Sequence, residues 1–354
     1  MHSTEKVNRL DLKLAKGTMT SRHGLANVGN TCYLNSAFQA LRKTKPFADY
    51  FGSDAWKAHR HQDRKGYDLA GYTAEMVTAL QAPGDGVVMP QKFVRAFIEF
   101  AHEINEDIRY GAQACAAEAV QILLDGLHTQ QAREVRMDIA GTAVTVDQSE
   151  LIKSLESWGT FFRKEYSPLV DPFYGQTQTK LVCTGCNHCS TRYEPWGVLK
   201  VEIPGAEKAG SPAPTLAECI AHTFATETMD DYVCDGCKER GTTRKMTSIS
   251  RFPKHLILSL KRFTNKGAKV RARIPYDPDA VDMSAFTSWS SIQTKPVYRV
   301  MSTVEHLGSS RGGHYVMRSR EADAWRTYDD GNVYVFKEGG VAGPDTYMLF
   351  LEQI

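Results

Sequence analysis

A cysteine near the beginning of the chain has the surroundings of a nucleophile. The segment from Gly24 to Ser36 reads GLANVGNTCYLNS, so Cys32 follows a turn rich in Gly and Asn and precedes a helix-like run, Ser36 to Leu41. A cysteine at a helix N-terminus lies at the positive end of the helix dipole, which favours the thiolate. Because the thiolate is the attacking species, this pattern indicates nucleophilic catalysis.

A candidate base and two candidate orienting carboxylates occur in the C-terminal part of the chain. His314 follows the glycine-rich loop Gly308 to Gly313 and begins a strand-like run, while Asp329 and Asp330 follow the aromatic Tyr328. A histidine accepts a proton from a nearby thiol, and a carboxylate orients the imidazole and stabilises the imidazolium. The order Cys, His, Asp therefore predicts a thiol nucleophile with a base and an orienting carboxylate. Both aspartates stay open as orienters at this point, because Asp-Asp-Gly is also typical of a turn.

Two Cys-x-x-Cys pairs form a second constellation. The four cysteines are Cys183, Cys186, Cys234 and Cys237. Four thiolates at this spacing fit the tetrahedral coordination of a structural Zn²⁺, provided that adjacent strands bring the pairs together. Cys189 extends the first pair and competes as a ligand, and free thiols are the alternative to a metal. We expect Cys115 and Cys219 to be buried thiols.

Composition argues against several classes of protein. The 354 residues include 43 basic and 41 acidic side chains, giving a net charge of +2, and no dense Lys/Arg tract. Nucleic-acid binding needs clustered cations, so we expect no such partner, although a zinc-finger nucleic-acid binder fits the Cys pairs alone.

No apolar run approaches 18 residues, and residues 1–22 lack an apolar core, so we expect neither a membrane span nor a secretory signal. An intracellular, reducing location follows, where cysteines stay thiols or metal ligands.

The hydrophobic pattern predicts helices first and strands later. Apolar residues recur at helical spacing in 90–104 and in 112–127, so we predict a helix in each. We predict a third helix at 151–162. Runs rich in β-branched and aromatic residues predict strands at 173–182, 191–203, 256–263, 296–305, 315–320, 332–336 and 347–351. Together these elements predict an α+β fold, preceded by a polar leader over residues 1–22.

These motifs resemble those of the ubiquitin-specific proteases. The run Gly24 to Ser36 resembles the Cys box of that family, and 306–315 with 325–330 resembles its His box. The likeness extends to about Phe350. It implies that residues 23–354 form a catalytic domain of papain-like cysteine protease type. Within that domain, the resemblance implies a helical thumb at about 23–165, zinc-bearing β-fingers at about 173–250 and a β-sheet palm mainly at 251–354.

The resemblance also implies roles for the candidate site residues. Cys32 would attack the carbonyl of ubiquitin's last glycine, His314 would be the base and Asp329 the orienter. Asn27 matches the side-chain donor of the family's oxyanion hole, and Asp330 would add a polar contact near it. The implied protein is a monomeric, thiol-dependent deubiquitinase with one structural Zn²⁺ and no catalytic cofactor. Its partners would be ubiquitin and ubiquitinated proteins, and its location the cytoplasm or nucleus of its own cell or a host cell.

Substrate-binding positions follow from the same resemblance. They are Glu118, Gly308, Gly312, Gly313 and Tyr315. The glycines would border the channel for ubiquitin's Gly-Gly tail, and Glu118 would meet an arginine of that tail. The family's Asp three residues earlier is Cys115 here, which leaves open a protease for a ubiquitin-like modifier. A catalytically silent ubiquitin-binding scaffold is a further alternative, which the presence of both Cys32 and His314 disfavours.

The segment 266–274 is basic and contains glycine. We expect it to be a loop, either near the substrate entrance or on a solvated surface.

Overall fold

The computed structural model describes residues 22–61, 68–205, 212–264, 266–289, 295–309, 312–322, 324–337 and 342–354. Of the predicted leader, only Arg22 falls within these ranges, where it begins a strand. The chain divides into two units. The first unit contains Met1–Gln131, Met301–Gly308 and Gly312–Gly339, and the second contains Ala132–Val300, Ser309–Arg311 and Gly340–Ile354.

Helices occupy most of the N-terminal part of the chain. They are α1 Cys32–Arg42, α2 Lys45–Phe51, α3 Leu69–Gln81, α4 Gln91–Ile104, α5 Ala116–Gln131, α6 Val146–Phe162, α7 Val170–Phe173 and α8 Leu216–Thr223. Short 3₁₀ turns lie at Ala55–His59 and Ser284–Phe286. None of the helices in the described ranges is long and apolar enough to cross a bilayer.

Strands dominate the C-terminal part. They are β1 Arg22–Leu25, β2 Asp85–Val88, β3 Gly175–Cys183, β4 Cys189–Trp196, β5 Leu199–Val201, β6 Glu227–Val233, β7 Arg240–Arg251, β8 His255–Leu260, β9 Val281–Asp282, β10 Val297–Ser309, β11 Gly312–Arg320, β12 Trp325–Asp329, β13 Asn332–Val335 and β14 Thr346–Gln353. The predicted α+β order, with helices first and a strand-rich part later, is confirmed.

Helix α1 is the centre of the first unit. All of its eleven residues are buried, which is the pattern of a helix surrounded by other elements rather than lying on a surface. Phe38 in this helix packs against Phe93 of α4, with ring centroids 4.6 Å apart, and against Phe47 of α2 at 6.1 Å. The N-terminus of α1 is therefore held by a packed core, and its first residue is Cys32.

A short antiparallel sheet in the first unit carries the C-terminal motifs. Strand β12 pairs with β11 from Met317–Tyr328 to Arg320–Trp325, and with β13 from Arg326–Val335 to Asp329–Asn332. His314 lies beyond the last of the β11–β12 pairs, and Asp329 is the final residue of β12. The open end of this hairpin therefore holds both side chains.

The second unit contains a four-stranded antiparallel sheet in the order β4-β3-β7-β6. Strand β3 pairs with β4 from Gly175–Trp196 to Val182–Cys189. Its other edge pairs with β7 as far as Cys183–Thr243. A separate group in this unit has the order β14-β8-β5, and every residue of β8 is buried.

Several elements differ in their bounds from the sequence prediction, three of them substantially. The helix expected at 112–127 begins only at Ala116, and the one expected at 151–162 begins at Val146, because Thr145 and Gln148 form a capping box. The single strand expected at 191–203 is two strands, β4 and β5. They belong to different sheet groups of the second unit, so the pairing of β4 ends at Trp196 and a new pairing begins at Leu199.

The basic segment 266–274 is more tightly held than a solvated loop. Arg262 is fully buried, and its guanidinium donates hydrogen bonds to the carbonyls of Val270 and Ala272, each at 2.9 Å. Lys269 is paired with Asp345 at 2.7 Å, and only 3% of the Lys269 side chain is exposed. The segment is a loop, as predicted, and several of its residues are exposed, but Lys269 and Val270 are held against the protein.

Candidate active site

The turn before Cys32 is built by a side chain. The Oδ1 atom of Asn27 accepts hydrogen bonds from the backbone N–H groups of Gly29 at 3.2 Å and Thr31 at 3.1 Å. Gly29 has a φ of 118°, a backbone conformation that residues with a Cβ rarely adopt. This Asx-type turn leads directly into α1, so the sequence around Asn27 fixes how the thiol of Cys32 is presented.

Burial controls the ionisation of Cys32, which is only 3% exposed. Loss of solvent raises the pKa of its thiol, and the negative charge of Asp330 raises it further. The backbone N–H groups of Tyr315, Tyr33 and Cys32 itself act in the opposite direction. The N-terminus of α1 thus favours the thiolate as the sequence suggested, but burial outweighs it. Burial at this position therefore favours the neutral thiol.

His314 and Asp329 are in direct contact. The Nε2 atom of His314 lies 2.6 Å from Oδ1 of Asp329, with 38% and 33% of the two side chains exposed. Since Nε2 faces the carboxylate, Nδ1 is the nitrogen left to exchange a proton with a nucleophile. The thiol of Cys32 meets the backbone N–H of Tyr315, the residue directly after His314. The structure thus brings the three predicted residue types to one place.

Asp330 has a different environment from Asp329. Its Oδ2 accepts a hydrogen bond from Nδ2 of Asn27 at 2.9 Å, and its Oδ1 accepts one from Nδ2 of Asn35 at 2.8 Å. Its backbone carbonyl accepts a bond from the N–H of Leu25 at 2.8 Å. The carboxylate groups of Asp329 and Asp330 and the imidazole of His314 all lie within 4.8 Å of one another. Asp330 therefore belongs to the site but contacts the turn before Cys32.

Gly24 makes this arrangement sterically feasible. A Cβ at Gly24 would lie 2.4 Å from the carbonyl carbon of Gly331 and 2.6 Å from the backbone oxygen of Asp330. Any larger residue would force the turn containing Asp330 away from β1. Gly24, the first residue of the Cys box, thus packs directly on the turn at Asp330, the last residue of the His box.

A glutamine that the sequence analysis did not single out contacts the glycine loop. Nε2 of Gln113 donates to the carbonyl of Gly313 at 3.0 Å, and Oε1 of Gln113 accepts from the N–H of Gly313 at 3.4 Å. The amide side chain thus pairs with the peptide group as a neighbouring strand would. No local signal could reveal this contact, because the two residues are 200 positions apart. Loop residues 310 and 311 lie outside the described ranges.

The predicted substrate-binding residues lie near the start of α5, near the end of β10 (Gly308) or on β11. Glu118 is half-buried and accepts a hydrogen bond from Nδ2 of Asn105 at 2.8 Å. Tyr315 is buried, with its hydroxyl within reach of the backbone N–H of Ala116, and burial raises its pKa. Cys115 is half-buried rather than buried as expected, whereas Cys219 is buried and its pKa is raised to about 11 by burial.

The four cysteines of the two Cys-x-x-Cys pairs lie together at one end of the four-stranded sheet. The cluster consists of Cys183, Cys186, Cys234 and Cys237, whose sulfurs all lie within 4.8 Å of one another. The two halves have the same backbone. Asn187 and Lys238, each directly after a pair, have φ values of 58° and 63° and donate to the carbonyls of Cys183 and Cys234. Two equivalent knuckles thus face each other.

The donor set of this cluster fits Zn²⁺. Four sulfur ligands on two tight turns are typical of closed structural zinc sites. Backbone N–H groups of Cys237 and Gly236 help to lower the pKa of Cys234, which favours its thiolate, whereas the pKa of the neighbouring Cys186 is raised. Cys189 is exposed and lies outside the cluster, so its predicted competition as a ligand is wrong in this structure.

Comparison with known proteins identifies the family. A family model described as ubiquitin carboxyl-terminal hydrolase matches residues 23–351. The chain belongs to this family. The resemblance deduced from the Cys and His boxes is thereby confirmed. The predicted enzyme class is confirmed as well, because this family consists of cysteine-type ubiquitin hydrolases.

Members of the family in mammals match most of the chain. Ubiquitin carboxyl-terminal hydrolase 2 of Bos taurus is 30% identical over 340 residues, which cover 93% of this chain and 54% of the relative. Ubiquitin carboxyl-terminal hydrolase 21 of Mus musculus is 27% identical over 372 residues, which cover 99% of this chain and 64% of the relative. The chain thus spans between about half and two thirds of the length of these relatives.

Solved structures of a deubiquitinating module share the fold. A chain of the SAGA DUB module that contains Ubp8, bound to monoubiquitin, has a TM-score of 0.71 at 19% identity, covering 98% of this chain and 74% of that chain. A yeast SAGA DUB module with a variant of Sgf73 gives 0.70 at 20% identity, with the same coverage. The predicted ubiquitin-specific protease fold is therefore confirmed.

Proposed function

We propose that the chain is a thiol-dependent deubiquitinase that hydrolyses the isopeptide or peptide bond after the C-terminal glycine of ubiquitin. The observation that carries this proposal is the contact of 2.6 Å between His314 and Asp329, beside the buried thiol of Cys32 in a chain of this family. The description of a structural neighbour as bound to monoubiquitin supports ubiquitin as the partner.

In the proposed reaction, the Sγ atom of Cys32 attacks the carbonyl carbon of ubiquitin's last glycine. The proton of the thiol passes to Nδ1 of His314, because Nε2 faces Asp329. The tetrahedral intermediate then collapses, the C–N bond breaks, and His314 gives the proton to the leaving amine. Water, deprotonated by His314, hydrolyses the resulting thioester and restores the thiol. Since burial raises the pKa of Cys32, the base is needed at the moment of attack.

The oxyanion of the intermediate requires donors that are in place before the reaction. We assign this role to the side-chain amide of Asn27 and the backbone N–H of Cys32. The Asn27 amide is already oriented by its bonds to the turn and to Asp330. Asp330 accordingly acts by holding Asn27, and Asp329 acts by holding His314.

The Cys₄ cluster would hold one structural Zn²⁺. Its ligands would be Cys183, Cys186, Cys234 and Cys237. The metal would tie the β3–β4 turn to the β6–β7 turn and take no part in the hydrolysis, since four protein sulfurs leave no open coordination position. We place the catalytic domain at 23–354, with the proposed thumb, fingers and palm as predicted, and propose a monomer acting inside cells.

Covalent capture by ubiquitin tests the proposal. The protein is incubated with ubiquitin that carries a C-terminal electrophile, and its intact mass is measured beside that of the Cys32→Ser variant. We expect one adduct on the wild-type chain and none on the variant. Folded, zinc-loaded wild type without an adduct would contradict the assignment.

A protease for a ubiquitin-like modifier is the second candidate. It is favoured by Cys115, a half-buried thiol where the family resemblance implies an acidic residue. Parallel assays with fluorogenic fusions of ubiquitin and of several ubiquitin-like modifiers distinguish the two. Faster turnover of another modifier would support this candidate, whereas ubiquitin binding without labelling of Cys32 would support a silent scaffold.

A further inference from the structure

A cluster of charged and aromatic side chains in the first unit takes no part in the chemistry above. At its centre is Glu321, whose side chain is 13% exposed. Oε1 of Glu321 accepts hydrogen bonds from Nζ of Lys43 at 2.7 Å and from the hydroxyl of Tyr328 at 2.6 Å. Oε2 lies 3.3 Å from Nε of Arg326. Together with Arg42, these residues form what we name the Glu321 cluster.

The Glu321 cluster joins three segments that lead to the candidate catalytic residues. Lys43 directly follows α1, and α1 begins at Cys32. Glu321 directly follows β11, the strand of His314. Tyr328 belongs to β12, which ends at the orienting carboxylate. One carboxylate therefore ties the end of the nucleophile's helix to both strands of the hairpin that holds the base and its orienter.

Tyr328 is the closest link between this cluster and the active site. It immediately precedes Asp329, and successive strand residues point to opposite faces, so its ring lies on the face away from Asp329. The ring is 2% exposed, with Nζ of Lys43 at 4.9 Å and the guanidinium carbon of Arg42 at 5.6 Å from its centroid. Cation–π contacts and the hydroxyl bond therefore fix the backbone from which Asp329 extends.

We propose that Glu321 is a positioning residue, which holds Tyr328 and Lys43 and thereby sets the placement of Asp329 and His314 relative to Cys32. The proposal rests on the proposed function for its ubiquitin readout. The proposed role concerns the geometry of Cys32 and His314. It can therefore also be measured on the protein alone, without ubiquitin.

The charge of Lys43, and with it the ion pair to Glu321, should depend on pH. Burial, together with the charges of Arg42 and Arg326, lowers the pKa of Lys43 to about 8, although Glu321 opposes this effect. Among the described residues, Lys43 faces Arg42, Arg326, Glu321 and the ring of Tyr328. As the pH rises through about 8, Glu321 loses its lysine cation. An arginine at position 43 would keep its charge throughout this range.

The first test compares two tyrosine variants in the full chain. Tyr328→Phe removes the bond to Glu321 and retains the ring, while Tyr298→Phe removes a hydroxyl bond of 2.6 Å from an equally buried tyrosine in the second unit. With a fluorogenic ubiquitin substrate, we expect Tyr328→Phe and Glu321→Gln to lower kcat on the order of 10- to 100-fold with little change in KM. Thermal melts establish that each variant is folded. Equal kcat values for Tyr328→Phe and Tyr298→Phe would overturn the proposal.

The second test is the pH profile of kcat/KM for the wild type and Lys43→Arg. We expect the wild-type value to decline above pH 8 and Lys43→Arg to extend activity to higher pH, because its cation persists. A purely structural role for the cluster predicts the same alkaline limb for both proteins, and that result would contradict the proposal.

A third measurement separates this proposal from the proposed function. The rate of alkylation of Cys32 by iodoacetamide is followed by peptide mass mapping at neutral pH, without ubiquitin. We expect Tyr328→Phe and Glu321→Gln to slow alkylation severalfold relative to Tyr298→Phe, since a displaced His314 deprotonates the thiol less well. Failure of the wild type to react with ubiquitin would remove the proposed function alone. Unchanged alkylation would remove the positioning role.

Discussion

The side-chain amide of Asn27 donates a hydrogen bond to the carboxylate of Asp330 over 2.9 Å. The oxygen of the same amide is bonded to the N–H groups of Gly29 and Thr31, so both ends of the amide are fixed. An asparagine amide nitrogen carries two hydrogens, and one of them points away from Asp330. A donor for the proposed oxyanion is thus oriented before any substrate arrives, which is the condition for strong electrostatic stabilisation.

The two aspartates should differ in their effect on catalysis. Asp329→Ala removes the partner of His314 and should lower kcat by roughly 100-fold or more, since loss of an orienting carboxylate in a related triad costs about 10⁴-fold. Asp330→Asn retains an acceptor for Asn35 and should cost roughly tenfold, the value of about one hydrogen bond. Steady-state kinetics with a fluorogenic ubiquitin substrate compares them. A larger effect of Asp330→Asn would contradict the assignment of orienter.

The ionisation of Cys32 should respond to the charge of Asp330. Burial and Asp330 both raise the pKa of this thiol, so alkylation of Cys32 in the wild type should keep accelerating into the alkaline range. Asp330→Asn removes a negative charge and should shift the midpoint to lower pH. The pH dependence of iodoacetamide labelling, read at the Cys32 peptide by mass spectrometry, measures this shift. An unchanged or higher midpoint would show that the charge of Asp330 does not reach the thiol.

Metal removal should destabilise the second unit. We expect about one zinc per chain by elemental analysis. Cys234→Ser, which removes one ligand of the cluster, should lower Tm on the order of 5–10 °C. Cys189→Ser is the matched control, because Cys189 is exposed and lies outside the cluster, and it should leave both zinc content and Tm unchanged. Full zinc content in Cys234→Ser would contradict the assigned ligands.

His255 should make stability fall in mild acid. Burial, with a smaller effect of Lys254, lowers its pKa from 6.5 to about 4. Between these values the unfolded chain binds the proton and the folded chain does not, so stability decreases as the pH falls from 6.5 towards 4. The full effect is up to about 3 kcal/mol.

Denaturant unfolding of the wild type and His255→Gln across this pH range tests the effect. The variant should show a shallower loss of stability. His102→Gln, at an exposed position of α4, serves as the control and should follow the wild type. Equal slopes for wild type and His255→Gln would contradict the predicted depression of the pKa.

The candidate nucleophile, the candidate base and the clustered cysteines could be predicted from sequence because the motif around each is local. Cys32, for example, is preceded by a turn that Asn27 forms within five residues. The contact of Gln113 with Gly313 and the tie between Lys43 and Glu321 could not be predicted, because each joins residues far apart in the chain. Their residue types are also ordinary for exposed surfaces.

Element boundaries were missed for physical reasons too. Residues 112–115 have the composition of a helix, but Gln113 pairs with the peptide group of Gly313 outside α5. Strands β6 and β7 lack a regular apolar alternation, and most of their residues are exposed or half-buried, so no period of two marks them.

The first unit is assembled from segments at both ends of the chain, with most of the other unit encoded between them. On a ribosome that adds about 5–20 residues per second, His314 follows Cys32 after a delay on the order of 15 to 60 seconds. Until then the helix that begins at Cys32 has neither the hairpin it packs against nor a base for its thiol. For the proposed function, the thiol of a nascent chain therefore lacks its base until residue 314 has been synthesised.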